Sequence, residues 1–249
     1  MNVLLINCDS GVSGDMMLGA FIDLGVPLDY LQEKLNRLKL GGYRLFAKDK
    51  EVDGTIAKDV DVILEHEEDL VTNPYSGDYR NFAQILEMIN NSSLPNNVKV
   101  MSRRIFEIKA KAEAVVHGVP IDEVKFHEAG AVDSIVDIVG TAICCDYIQP
   151  EKIISKEVPT GSGEVKCACG ILTVPVPAVR QILSDTKIPY YQSEIKQEIL
   201  TPTGASIIAG LTDEFQWDSI DGEVLQRGYG TGKRDTGLAP LELTLCNIK

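Results

Sequence analysis

Four side chains able to bind a metal ion or move a proton lie close together near the middle of the sequence. His127, Glu128, Asp133 and Asp137 fall within eleven positions, among Ala, Val, Ile and Gly residues. Carboxylates in so apolar a stretch need either surface positions on a half-buried helix or a partner that compensates their charge. Helical spacing of the apolar residues over 130–147 predicts a helix with the two aspartates on one face. That face is either a solvated flank paired with an arginine, or a cation or substrate site that the histidine and glutamate enter from the preceding loop.

A second group of candidate residues lies between a short apolar strand and a helix near the start of the chain. Asp9 and Asp15 enclose a turn rich in hydroxyl groups and glycines, Ser10, Gly11, Ser13 and Gly14. The backbone amides of such a turn can face an anion at the positive end of the helix, and two aspartates beside a phosphate suit a bridging Mg²⁺ or Mn²⁺. The alternative is structural, with Ser13 capping the helix and Asp15 complementing its dipole.

Three further segments combine glycines with hydroxyl groups. Thr201-Pro202-Thr203-Gly204 precedes a predicted helix, so its hydroxyls and amides indicate a phosphate or carboxylate contact, although either threonine could equally be only a cap. Segments 161–163 and 228–232 contain Gly-x-Gly patterns, and Gly230 allows either close backbone approach to a ligand or a tight turn. Together these turns predict a glycine-lined cleft.

Histidine and cysteine residues add potential ligands for a softer metal ion. Glu113 and His117 lie four apart near the end of a predicted helix, where the histidine is either a dipole partner or a ligand. With His127 ten residues on, the chain can fold both histidines toward one site, and imidazole with carboxylate suits nickel, zinc or iron. Cys167 and Cys169 point to the same side of a predicted strand, where they either bind such a metal or are buried.

The elements that must position these residues are a mixture of strands and helices. We predict strands at residues 3–7, 43–48, 55–65, 152–158 and 164–169, and helices at 13–24, 28–38, 80–90, 97–117 and 130–147. The remaining segments are a loop at 66–78, an extended stretch at 174–177, helices from about 178 and after 204, and two strands flanking 228–232. This order predicts an α+β fold (mixed α/β), with mixed sheets, packed helices and glycine-rich ligand turns. We expect one domain over residues 1–249, with Pro150 as the plausible boundary of a subdivision into 1–150 and 151–249.

The composition limits the partners that this chain can have. Its 249 residues carry a formal net charge of −13, which argues against a nucleic-acid backbone or an anionic membrane as the main partner and suits divalent cations. No apolar run reaches bilayer length, and the first residues lack the basic region of a signal peptide. We therefore expect a cytoplasmic protein whose six cysteines are reduced thiols.

Six blocks of this sequence, taken in order, resemble the LarC-type nickel insertion proteins of nickel-pincer cofactor biosynthesis. The blocks are residues 9–20, 113–118, 126–140, 174–178, 201–205 and 228–232. The resemblance implies a nickel chelatase, or cyclometallase, of the lyase class. Its members insert nickel into pyridinium-3,5-bisthiocarboxylic acid mononucleotide, forming the cofactor of lactate racemase at the expense of CTP. The resemblance covers their N-terminal portion, so the CTP-handling C-terminal component is expected as a partner, and the assembly is expected to be a homo-oligomer.

Taken with this resemblance, the candidate residues divide into three roles. Nickel ligands are expected among Asp9, Asp15, His117, His127, Glu128, Asp137 and Cys169. The substrate phosphate is expected at Ser10, Gly11, Ser13, Gly14, Thr201, Thr203, Gly204 and Gly230. The ring carbon must lose a proton as the metal–carbon bond forms, and the expected catalytic groups are His127, Glu128 and Asp133.

The sequence departs from the family pattern at two places and leaves two other functions open. The loop that is histidine-rich in many members carries a single histidine, His66, and their usual His-Gly before the proline run is Cys169-Gly170. One alternative is a magnesium-dependent phosphate-ester or nucleotide-binding enzyme that uses Asp9 and Asp15. The other is a non-catalytic assembly partner of the C-terminal component, which predicts scattered, exposed acidic residues.

Overall fold

Helices and strands both occur throughout the residues that the computed structural model describes, which are 1–64, 80–126, 132–167, 170–215 and 222–248. The helices in this part of the chain are α1 (Gly14–Asp23), α2 (Leu28–Asn36), α3 (Phe82–Asn91), α4 (Asn96–His117), α5 (Val132–Ile148), α6 (Pro177–Thr186) and α7 (Pro202–Leu211). Its strands are β1 (Asn2–Asn7), β2 (Tyr43–Val52), β3 (Thr55–Leu64), β4 (Lys152–Ser155), β5 (Val158–Thr160), β6 (Glu164–Cys167), β7 (Gly170–Thr173), β8 (Tyr190–Gln192), β9 (Glu214–Phe215), β10 (Gly222–Thr231) and β11 (Leu241–Ile248). The predicted α+β class is confirmed, and the predicted loop at 66–78 lies outside the described residues.

Seven of these strands form one mixed sheet in the order β2-β3-β10-β11-β1-β4-β9. At its centre β1 is antiparallel to β11 and parallel to β4. The pairs β5–β8 and β6–β7 form two small sheets of their own. Strands from both sides of Pro150 thus belong to the same main sheet.

The two faces of the main sheet have different surroundings. Because side chains alternate along a strand, Leu4 and Ile6 of β1 point to the face that is covered by helices, and both are fully buried in the main core. Val3 and Leu5 point to the opposite face, where they belong to a second, smaller apolar cluster. The helices therefore form a layer on one side of the sheet, and the ends of that layer shape the candidate site.

Glycines in β10 allow α1 to lie directly on the sheet. A Cβ at Gly228 would be 2.8 Å from the Cα of Leu24, and one at Gly230 would be 2.5 Å from the amide nitrogen of Ala20. Such distances are too short for any side chain, so only glycine permits this approach of helix to strand. The prediction of a glycine-rich ligand turn at 228–232 is therefore wrong, since residues 222–231 form β10.

Local signals account for several helix ends. Gly25 follows α1 with a φ of +108°, and Gly118 follows α4 with a φ of +66°, both in the left-handed region that glycine adopts readily. At the start of α3, Asn81 and Gln84 form a reciprocal capping box. None of the described helices is both long and apolar enough to cross a membrane.

Candidate functional site

A cleft of about 940 Å³ opens at one end of the helix layer. Its walls come from the first turns of α1, α5 and α7, the C-terminal half of α4, the hairpins β2–β3 and β6–β7, and the segment 232–240 that follows β10. The candidate residues that line it are Ser10, Ser13, Gly14, Asp15, Glu113, His117, Asp133, Asp137, Thr201 and Thr203. Residues that are far apart in the sequence thus share one cleft.

Two backbone hydrogen bonds hold the starts of α1 and α7 side by side. The amide of Val12 donates to the carbonyl of Ile199 over 2.8 Å, and the amide of Thr201 donates to the carbonyl of Val12 over 3.1 Å. Gly204 packs against the same segment, because a Cβ there would be 2.5 Å from the carbonyl carbon of Val12. Both helix N-termini, with their free amides and positive dipole ends, therefore lie at the cleft.

Asp15 occupies the positive end of α1. Its Oδ1 accepts hydrogen bonds from the hydroxyl of Ser13 and from the amide of Met16, the second over 2.9 Å. Ser13 stands at the N-cap position, yet its side chain makes no capping bond to the helix backbone because it is bonded to the aspartate instead. The carboxylate complements the helix dipole, which is the structural role that the sequence left open for Asp15.

Asp133 and Asp137 line the cleft from one face of α5, as their four-residue spacing predicts. Asp133 is exposed and Asp137 is half-buried. Asp137 packs directly on the start of α1, since a Cβ at Gly14 would lie 2.5 Å from its Cβ and closer still to its carboxyl group. The fold therefore brings three carboxylates, those of Asp15, Asp133 and Asp137, to the walls of the same cleft.

A histidine, a glutamate and a thiol also line the cleft. The Nε2 atom of His117 is 3.5 Å from a carboxylate oxygen of Glu113, one turn earlier in α4, and both residues line the cleft. Cys167 of β6 also lines it, is half-buried, and donates its thiol to the carbonyl of Gly170 over 3.4 Å. The imidazole and the thiol are the softer candidate ligands that the described part of the chain contributes.

The strongest candidate ligands and bases of the sequence, His127, Glu128 and Cys169, lie outside the described residues. Phe126 and Asp133, on either side of segment 127–131, both line the cleft. Among the described residues, no group of three or more His, Cys, Asp or Glu side chains is arranged to hold a metal ion. The predicted ligand set is therefore not complete within that part of the chain.

Asp9 has different surroundings from Asp15. Its carboxylate forms an ion pair with Lys156 over 2.6 Å, and its side chain is 53% exposed. It is not among the residues that line the cleft. Burial raises the pKa of the neighbouring Cys8 thiol to about 11, with the charge of Asp9 adding to the effect. The structure thus gives no support to one divalent cation shared by Asp9 and Asp15.

Three of the predicted phosphate-binding glycines, Gly11, Gly204 and Gly230, are absent from the cleft lining. Gly11 adopts a φ of +86°, and a Cβ there would be 2.6 Å from the carbonyl carbon of Ile199. Gly204 and Gly230 have equally close backbone neighbours. These glycines allow segments to pack closely, whereas Gly14 lies at the cleft itself.

Lys109 is the main cleft residue that sequence reasoning missed. It lies in the C-terminal half of α4, is 5% exposed, and donates to the hydroxyls of Ser134 over 2.6 Å and Thr203 over 2.9 Å. Its ammonium group also lies 5.3 Å from the centre of the Phe126 ring. A signal was present, because a lysine three residues after Phe106 falls on the apolar stripe of the helix, where lysine is rarely buried.

An ion-pair network ties the segment 232–240 to the sheet. Lys233 contacts Asp59 over 2.9 Å and also pairs with Asp61, while Lys48 lies 3.3 Å from Asp59. Burial by itself would raise the pKa of Asp59, but the hydrogen bonds and charges of Lys233 and Lys48 outweigh it and lower that pKa. Burial likewise opposes the charge of Lys233, and the two carboxylates raise its pKa above the ordinary value. The network fixes one wall of the cleft.

Comparisons with known proteins give consistent matches over almost the whole chain. A family model described as nickel insertion protein matches residues 4–246. The chain is 42% identical over 238 residues to the pyridinium-3,5-bisthiocarboxylic acid mononucleotide nickel insertion protein of Acetivibrio thermocellus, covering 95% of this chain and 58% of that protein. It is 38% identical over 256 residues to the protein of the same name from Alkaliphilus metalliredigens, and the match covers 99% of this chain and 59% of that protein. A putative nickel insertion protein of Dictyoglomus thermophilum is 37% identical over 235 residues, and the match covers 94% of this chain and 58% of that protein.

The chain therefore spans less than two thirds of the length of these relatives. No solved structure matches it significantly.

Proposed function

The chain belongs to the nickel insertion protein family, and we propose that it holds nickel and a pyridinium mononucleotide in the cleft so that the metal can be inserted into the nucleotide. The observation that carries this proposal is the meeting, in one cleft, of carboxylates on α1 and α5 with hydroxyls at the start of α7. Metal insertion needs both kinds of group, because the two substrates carry opposite charges.

Nickel is the substrate that the acidic walls would take. Asp15, Asp133 and Asp137 approach from two helices, and His117 offers an imidazole from a third. Carboxylate and imidazole are suitable ligands for Ni²⁺. His127, Glu128 and Cys169 are proposed as further ligands, because they flank Phe126, Asp133 and Cys167 in the sequence and these three line the cleft.

The pyridinium mononucleotide is the substrate that the helix N-termini would take. The hydroxyls of Ser10, Ser13, Thr201 and Thr203 line the cleft where α1 and α7 begin. The positive ends of the two helix dipoles favour a phosphate group there. One hydroxyl is already engaged in capping, since Thr201 accepts a hydrogen bond from the amide of Gly204 over 3.0 Å.

The proposed reaction forms the nickel–carbon and nickel–sulfur bonds of a nickel-pincer cofactor. The pyridinium ring carbon loses its proton as the metal–carbon bond forms, so a carboxylate or imidazole beside the ring would accept that proton. Asp133 lies at the cleft, and His127 and Glu128 are the other proposed bases. This chemistry corresponds to a cyclometallase of the lyase class.

We propose that the reaction also requires a C-terminal component of the longer relatives. Consumption of CTP is assigned to that component, and Mg²⁺ or Mn²⁺ is proposed as a further cofactor. The 249-residue unit is proposed to act as one domain within a cytoplasmic homo-oligomer. The acidic net charge of −13 is consistent with a metal-handling unit that binds neither nucleic acid nor membrane.

Calorimetric titration of the reduced, metal-free chain with Ni²⁺ tests the proposal. We expect Asp133→Asn and Asp137→Asn to weaken nickel binding at least about tenfold, because each removes a charged oxygen ligand. Asp146→Asn is the matched control, since Asp146 lies on the same helix outside the cleft lining and accepts a hydrogen bond from Asn97.

If all three variants bind nickel as tightly as the unchanged chain does, a nickel site on α5 is refuted. Binding of Mg²⁺ without Ni²⁺ would instead favour a magnesium-dependent phosphate-ester enzyme. If neither metal binds, the chain would be an assembly partner of the C-terminal component.

A further inference from the structure

A buried lysine joins two buried hydroxyl groups at the base of the cleft. Lys109 of α4, Ser134 of α5 and Thr203 of α7 are 5%, 3% and 8% exposed. The ammonium group donates to Ser134 Oγ over 2.6 Å and to Thr203 Oγ1 over 2.9 Å. The two hydroxyl oxygens are 3.5 Å apart. Three helices therefore meet at one small polar cluster, which we call the donor cluster.

The chemistry of the donor cluster determines where its hydrogens can go. An ammonium group has only donors, so both hydroxyl oxygens act as acceptors toward Lys109 and each O–H must donate elsewhere. Within the described part of the chain, the other hydrogen bond open to each hydroxyl is the long one between the two. One hydroxyl can donate to the other, which leaves at least one O–H directed to a further acceptor. All three residues line the cleft, so an acceptor bound there can meet that hydrogen.

The position of Thr203 adds donors of the same kind. It is the second residue of α7, a helix of ten residues, and its neighbour Thr201 caps only the amide of Gly204. The direction of the hydrogen bonds favours an oxyanion over a metal cation, because the two hydroxyl oxygens already accept from Lys109 and a hydroxyl hydrogen is what they offer to a ligand. The carboxylates of Asp133 and Asp137 line the same cleft, on the helix that carries Ser134.

We propose that the donor cluster binds the phosphate monoester of the mononucleotide, with Ser134 and Thr203 donating to its oxygens and Lys109 orienting the two hydroxyls. This inference rests on the proposed function for the identity of the nucleotide. It assigns the phosphate to residues of α4 and α5 as well as to the turns before α1 and α7.

Three pyridinium ligands separate the phosphate from the other groups of the nucleotide. Nicotinic acid mononucleotide carries a phosphate and a ring carboxylate, its riboside lacks the phosphate, and nicotinamide mononucleotide lacks the ring carboxylate. We expect the chain to bind both mononucleotides at least about tenfold more tightly than the riboside by calorimetry, because hydrogen bonds to a charged phosphate are strong. Inorganic phosphate is expected to compete with both.

Thr203→Val and Ser134→Ala are the test variants, since each removes one hydroxyl with little change in volume. Each is expected to reduce the preference for mononucleotide over riboside by about tenfold. Thr141→Val is the matched control, because Thr141 lies on α5 with a fully buried hydroxyl that has no hydrogen-bond partner among the described residues. It is expected to bind all three ligands as the unchanged chain does.

The outcomes distinguish this inference from the proposed function. If both test variants keep the full preference for mononucleotide over riboside, the donor cluster does not bind phosphate, whatever the nickel titration gives. If the variants discriminate against nicotinic acid mononucleotide but not nicotinamide mononucleotide, the cluster binds the ring carboxylate and the inference is wrong. If the preference falls as expected while Ni²⁺ does not bind, the phosphate site stands and the nickel proposal fails.

Discussion

Replacing Gly14 by alanine is expected to destabilise the protein and to disturb the cleft at the same time. Gly14 is buried at the start of α1, and a Cβ there would lie 2.5 Å from the Cβ of Asp137. Carbon atoms in contact are about 3.5–4.0 Å apart, so α1 and α5 would have to separate locally by at least about 1 Å. Rotation of the aspartate side chain cannot relieve this clash, because its Cβ is held by the backbone of α5.

The expected cost follows from overpacking at a rigid contact. Forcing an extra methyl group into a packed interface costs about 1–3 kcal/mol. For a chain of this size, a loss of 1 kcal/mol lowers Tm by about 2–4 °C, so Gly14→Ala should lower Tm by about 2–12 °C. The shift also moves the Asp137 carboxylate, so nickel affinity should fall together with stability.

Thermal and urea denaturation measure the effect, and a double-mutant cycle identifies its source. Asp137→Gly removes the three atoms that lie nearest to the new methyl group, so Gly14→Ala should cost little in that background, with a coupling energy of about 1–3 kcal/mol. Gly140→Ala is the control within α5. A Cβ there would lie 2.9 Å from a terminal methyl group of Leu18, which can rotate away. The gain in helix propensity of about 1 kcal/mol should offset that contact.

Two results would refute this reasoning. If Gly14→Ala unfolds at the temperature of the unchanged protein, the starts of α1 and α5 are not in contact as described. If Gly14→Ala is equally destabilising with and without Asp137→Gly, the cost arises from another source.

Three further perturbations have expected outcomes. The pKa of Asp59 is lowered in the folded protein. At pH values above its ordinary pKa of 3.8 the residue therefore stabilises the fold, and this stability is lost as the pH falls through the folded pKa. Asp59→Asn should therefore cost about 1–3 kcal/mol in urea denaturation at neutral pH by breaking the contact with Lys233, and almost nothing well below pH 3.8; an equal cost at both pH values would contradict this. Cys8 is fully buried and has a pKa of about 11. It should therefore react with iodoacetamide at pH 8 at least about 100-fold more slowly than the half-buried Cys167. Equal labelling of the two thiols in peptide mass mapping would contradict the burial of Cys8. Thr201→Ala should cost about 1 kcal/mol of thermal stability through loss of the α7 cap, whereas Thr201→Ser should cost a few tenths, and equal losses would mean that the hydroxyl does not act as a cap.

Much of the secondary structure is predictable because its signals are local. The apolar spacing over 130–147 predicts α5, which is described from Val132, and the glycine after α1 and the proline before α2 mark the boundaries that the structure has. Local pattern also predicts that Asp133 and Asp137 share a helix face. The same reasoning is wrong at 228–232, because a glycine that permits helix packing on a strand is indistinguishable in sequence from one that permits a turn.

The sequence by itself determined most of the helices and strands, the acidic character of the chain and the candidate groups on each segment, since these follow from composition and from spacing between near neighbours. Only the tertiary structure decided which of those groups meet. It brings Asp137 onto the start of α1, leaves Asp9 paired with Lys156 away from the cleft, and joins Lys109 to hydroxyls 25 and 94 residues later. The physical reason is that such contacts depend on how whole helices pack on the sheet, and that packing is set by many buried residues at once.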